Sequence, residues 1–94
     1  MEESIATLRL EIKKASSQEE AISILSVYIE AHPESDEAYT MRGMKYWGAG
    51  ERSLAINDYL SAIRINPESR ARLALQASQE ILDYRNKYLY NPRK

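Results

Sequence analysis

The sequence has no cysteine among its 94 residues, which excludes disulfides, thiolate catalysis and cysteine-based metal sites. It has one histidine, His32, and without a second one a zinc site lacks its usual ligand set. His32 precedes Pro33 at a predicted helix C-terminus, where a partly positive imidazole suits the helix dipole. No apolar run approaches the roughly 18 residues that a membrane span needs. The first fifteen residues hold Glu2, Glu3, Arg9 and Glu11 and do not read as a signal peptide. No stretch alternates apolar and polar residues in twos, so no strands are predicted. The glycines of Gly48-Ala49-Gly50 are turn residues and lack the lysine of a phosphate-binding loop. The carboxylate neighbours Glu2-Glu3 and Glu19-Glu20 are one residue apart and do not share a helix face. These absences predict a chain that is not an enzyme, uses no metal or cofactor, enters no membrane and works in the cytosol.

The composition supports one small folded domain spanning residues 1–94. Hydrophobic residues make up 44% and charged residues 29%, unlike the low-hydrophobicity, high-charge profile of a disordered chain. The net charge of −1 argues against a general polyanion binder, but it is unevenly spread. Residues 1–69 hold seven Lys/Arg against twelve Asp/Glu, a balance of −5, and residues 70–94 hold six against two, a balance of +4. A basic last helix accounts for this; a patch for an anionic partner is the sharper alternative.

Apolar residues recur at helical spacing nearly throughout. Ile5, Leu8 and Ile12 predict a first helix over about 2–14. Ser17 with Glu20 fits a capping box that opens a second, which carries Ala21, Ile22, Leu25 and Ile29 and stops before Pro33. Ser35 caps a third, with Asp36 and Glu37 in its first turn. Its stripe is Tyr39, Gly43 and Tyr46, and Gly48-Ala49-Gly50 breaks it. A fourth runs from about Arg52 to Ile65 and ends at Asn66-Pro67. The fifth, from near Glu68 to about Leu89, is the longest. Its stripe of Leu73, Ala77, Ile81, Tyr84 and Tyr88 is expected to seal the preceding hairpin, leaving Leu75, Leu82 and Leu89 as a second, surplus stripe.

The tripeptide Pro-Glu-Ser occurs at 33–35 and again at 67–69, 34 residues later. Glu3 and Glu37, Ala21-Ile22 and Ala55-Ile56, and Ile29 and Ile63 fall on the same offset. A fixed period of this size marks repeat units that bury their apolar faces only by stacking. Residues 36–69 read Tyr39-x2-Arg42-Gly43-x2-Tyr46, then Ala55-x3-Tyr59, then Ala62 and Pro67. This closely resembles one complete tetratricopeptide repeat, with Arg42 in place of the usual leucine. Residues 2–35 resemble a looser copy through Ile5, Leu8, Ile12, Ala21, Leu25 and Pro33. There Arg9, Tyr28 and Ser16 stand where a glycine, an alanine and the turn glycine are expected. Residues 70–94 resemble the capping helix of such arrays. The resemblance implies an all-α solenoid of two antiparallel helical hairpins and a long capping helix.

It also implies a non-catalytic module that binds a peptide or helix of another protein in a concave groove lined by the first helix of each hairpin. Carried over, that groove holds Glu3, Ala6, Leu10 and Lys13, then Thr40, Met44 and Trp47, then Ala74 and Ser78. Thr40, Met44 and Trp47 share one face away from the Tyr39–Gly43–Tyr46 stripe, so Met44 and Trp47 are candidate anchors. Trp47 packed under the last helix near Ile81 is the alternative. The lysine, asparagine and arginine clamp of co-chaperone members is absent, because Ala6, Leu10 and Met41 hold the matching positions. A homodimer built on Leu75, Leu82, Leu89 and Tyr88-Leu89-Tyr90 is the second expectation. Those tyrosines could equally cover the neighbouring hairpin. Nucleic-acid binding through Arg70, Arg72, Arg85, Lys87, Arg93 and Lys94 ranks last, because no aromatic residues interleave with the charges on a sheet or recognition helix.

Overall fold

The computed structural model describes residues 5–88, with side chains described to residue 82. Glu2, Glu3 and residues 89–94 lie outside the described residues, as do the side chains of Tyr84, Arg85, Lys87 and Tyr88. Five α-helices and no strand occur among the described residues: α1 (Ile5–Lys14), α2 (Gln18–Ala31), α3 (Asp36–Gly48), α4 (Arg52–Ile65) and α5 (Ala71–Tyr88). Several termini have a local cause. The Ser17 hydroxyl accepts from the Glu20 amide at 3.1 Å, opening α2 as a capping residue does. The return arm reaches one residue further back than expected, because Glu20 accepts from the Ser16 hydroxyl and, at 3.0 Å, from the Ser16 amide. These two bonds hold the exposed Glu20 carboxyl below its usual range. Ser35 accepts from the Ala38 amide at 3.2 Å and opens α3. Gly50, at φ 86°, makes the left-handed turn before α4. Pro33 and Pro67 follow the last turns of α2 and α4.

The helices pack in chain order: α1 on α2, α2 on α3, α3 most extensively on α4, and α5 on both α4 and α3. The molecule measures 60 × 31 × 17 Å along its principal axes, and its smallest dimension fits about two helix layers. One apolar cluster joins Leu8, Ile12, Ala21, Leu25, Tyr28, Ile29 and Ala38. The other joins Ala55, Tyr59, Ala62 and Ala71. Tyr39 packs against both, so the two clusters meet at α3. His32 stacks on Tyr28 with ring centroids 4.2 Å apart.

The close approach of α3 and α4 depends on Gly43. A Cβ there would lie 2.6 and 2.8 Å from two ring carbons of Tyr59 and 3.1 Å from the Ala55 carbonyl oxygen. Beside it, Arg42 grips the Asp58 carboxylate of α4 with two bonds of 2.7 and 2.8 Å and donates to the Ser26 hydroxyl of α2 at 3.0 Å. Its guanidinium also lies 5.6 Å from the ring centroids of Tyr39 and Tyr46. One side chain thus ties three helices together, and the Asp58 bonds strengthen its hold on its proton.

The fifth helix departs from the sequence expectation. It begins at Ala71 rather than near Glu68, because the chain from Asn66 to Arg70 closes a turn through Ser69 N–H to Asn66 C=O at 2.8 Å. Its packed face is also different. Leu73 is 71% exposed and Ile81 46%, and Ala77 is exposed, so the described part of that stripe does not pack on the preceding hairpin. Ala71, Ala74, Leu75 and Ser78 face the body instead. Three of these four are small, which lets the α5 backbone come close while Leu75 fills the space left.

Two stability outcomes follow. Gly43→Ala should lower the unfolding free energy by about 1–3 kcal/mol, because the buried Tyr59 ring must shift. At an unobstructed helix site the same change would add about 1 kcal/mol. Urea melts decide the sign, and a stabilised variant would contradict the close contact. Arg42→Leu or Asp58→Leu alone should cost roughly 3 kcal/mol by stranding a desolvated charge. The double variant should cost clearly less than the two single losses added, which a double-mutant cycle in the same melts reads directly.

Candidate functional site

The N-terminal turn of α3 carries Asp36, Glu37 and Thr40 in sequence, and the turn from α4 into α5 folds across it. Asn66 fixes that turn. Its side-chain oxygen accepts from the Glu68 amide at 3.0 Å, and its amide nitrogen donates to Asp36 at 3.4 Å. The second Pro-Glu-Ser copy thereby puts Ser69 in the interior, where its hydroxyl accepts from the Ala71 amide at 3.1 Å and meets the Thr40 hydroxyl at 3.3 Å. Thr40 donates to the Asp36 carbonyl at 2.8 Å. These bonds make a rigid back wall.

In front of that wall lies an open cleft of about 240 Å³, with Met41 and Met44 of α3 on one side and Arg70 with Glu68 on the other. Arg9 of α1 closes one edge and reaches Glu37 at 3.8 Å, with both side chains about half exposed. Met44 is 48% exposed. A flexible thioether at the mouth of a rigid polar cleft can accommodate an apolar side chain, while the surrounding donors and acceptors can bond to a main chain. An exposed ion pair such as Arg9–Glu37 holds weakly, so an entering chain can displace it at little cost.

Of the residues singled out from sequence, Thr40 and Met44 line this cleft. Ala6, Leu10 and Lys13 are exposed on α1 but do not line it. Ser78 is buried against the body, its hydroxyl donating to the Ala74 carbonyl at 2.8 Å. Trp47 is partly buried against the α4–α5 cluster, with the Arg52 guanidinium 4.9 Å over its ring, and it also lies outside the cleft. The sequence reading passed over Asn66, Glu68, Ser69 and Arg70 as wall residues. The signal that pointed there was the second Pro-Glu-Ser, read as a mark of the 34-residue period and of a helix boundary.

Among the described residues no group of three or more His, Cys, Asp or Glu side chains could hold a metal ion. No helix among them is long and apolar enough to cross a membrane. Compared with known proteins, the chain matches no family model, no curated protein and no solved structure.

Proposed function

We propose that this chain is a non-catalytic protein–protein interaction module that holds a peptide or helix of a partner in the cleft between α1, α3 and the α4–α5 turn. In this reading α1–α2 and α3–α4 are two stacked hairpins of the tetratricopeptide kind, and α5 is the cap. The resemblance over residues 36–69 and the chain-order packing of the helices support it. The observation that carries it is the cleft itself: a rigid wall through Thr40, Ser69 and Asn66, with Met41 and Met44 left open beside it.

The partner segment inserts one apolar side chain against Met44 and places its main chain between Arg70 and Asp36. Charge steers the segment, and apolar burial supplies most of the affinity.

A random-peptide display selection against the folded protein tests this. Selected peptides should bind Met44→Glu at least about tenfold more weakly, since burying a methionine side chain contributes roughly 1.5–3 kcal/mol. The same peptides should bind Leu54→Glu, altered at an exposed position of α4 outside the cleft, as tightly as the parent. Equal binding to both variants would remove the cleft from the account.

A further inference from the structure

Sulfur in this chain is confined to three methionines, since there is no cysteine. Met1 lies outside the described residues, and the other two, Met41 and Met44, both line the cleft. They stand three residues apart on α3 but differ in their surroundings. Met44 is 48% exposed at the mouth, whereas Met41 is partly buried and packs against the cluster of Leu8, Ile12 and Leu25. A thioether is oxidised to a sulfoxide, and the reaction follows its access to the oxidant. No thiolate in the chain reacts first. Among the described residues, a peroxide therefore finds its most accessible sulfur where a partner segment would sit. The cleft holds about 240 Å³, several times the roughly 30 Å³ of a water molecule, so hydrogen peroxide fits within it.

We propose that Met44 is an oxidation site whose sulfoxide closes the cleft to a partner, an inference that rests on the reading of the cleft as a peptide site. The Met44 sulfur lone pair attacks one oxygen of hydrogen peroxide. An S–O bond forms as the O–O bond breaks, and the proton of the transferred hydroxyl passes to the departing hydroxide, which leaves as water. Sulfur loses two electrons and the peroxide gains them. The product sets a polar S–O group where an apolar side chain of the partner would be buried, and that burial then costs affinity. Met41 answers differently, because a sulfoxide there disturbs the packed cluster and costs stability. Oxidant thus acts in order, first on binding through Met44 and then on the fold through Met41. Reversal needs a dithiol that takes the oxygen off as water and becomes a disulfide, and a separate reductase must supply it because this chain has no cysteine.

Stepwise peroxide treatment with mass-spectrometric mapping tests the site with no partner present. Trypsin cuts after Arg42, which puts the two sulfurs on different fragments. Met44 sulfoxide should accumulate well ahead of Met41 sulfoxide, and the urea midpoint should hold through the first phase and fall in the second. Met41 reacting as fast as Met44, or a midpoint that falls with Met44, overturns the proposal. Peptides selected on the folded protein should bind the Met44-oxidised form at least about tenfold more weakly. Met44→Leu, which keeps Met1 and Met41, should show no change against itself before and after the same treatment. Should that variant bind too weakly to measure, slower oxidation of Met44 in the peptide-bound parent decides instead. Unchanged binding to the oxidised parent overturns the switch and leaves the cleft reading standing, which Met44→Glu tests separately. A loss that Met44→Leu shares places the effect at another residue and overturns the switch as well. A protein that selects no peptide removes the cleft reading and the switch with it, while the mapped order of oxidation still decides whether Met44 is the reactive sulfur.

Discussion

Arg42 and Asp58 hold the molecule in register. A charge pair with little exposure is costly to form, since both ions leave water, and it persists only where geometry and additional bonds compensate. Here the guanidinium makes two bonds to Asp58 and a third to Ser26, and it lies beside two tyrosine rings. Apolar packing alone would let helices slide by a turn at small cost. A bidentate fork does not tolerate such sliding, so the pair fixes how α2, α3 and α4 sit against one another. Gly43, one residue on, sets how near they come.

The rest of the structure inherits that register. With α3 and α4 locked together, the turn after α4 is delivered to the N-terminus of α3. Thr40, Ser69 and Asn66 then close into one bonded wall. The cleft exists because two segments far apart in sequence are held at fixed distance by residues that do not line it. Away from it, Val27 of α2 and Leu73 of α5 remain largely exposed.

Much of this was legible in the sequence. Serines 17 and 35 before acidic first turns, prolines 33 and 67, and the 48–50 break placed the ends of α2, α3 and α4 close to where they lie. Two features were out of reach for physical reasons. Leu73–Ala77–Ile81 and Leu75–Leu82 are both regular helical stripes, and periodicity cannot choose between them. The choice is made by how closely Ala71, Ala74 and Ser78 let α5 approach the body. Arg42 looked like a misfit at a leucine position because its partner lies 16 residues away on another helix, a pairing no local pattern encodes. Thr40 and Met44 were found from the face they share. The other cleft wall comes from a turn, where helical spacing carries no information.

Native-state hydrogen exchange tests the central claim, that the Arg42–Asp58 pair couples the hairpins into one unit. In the parent protein, the slowest amides of α2, α3 and α4 should exchange through a common opening. In Arg42→Leu, α2 should lose protection ahead of α3 and α4, because the bond from Arg42 to Ser26 has been cut while α3 and α4 keep their more extensive packing. Protection that falls equally in all three helices of the variant, or that already differs between α2 and α3 in the parent, would contradict the account.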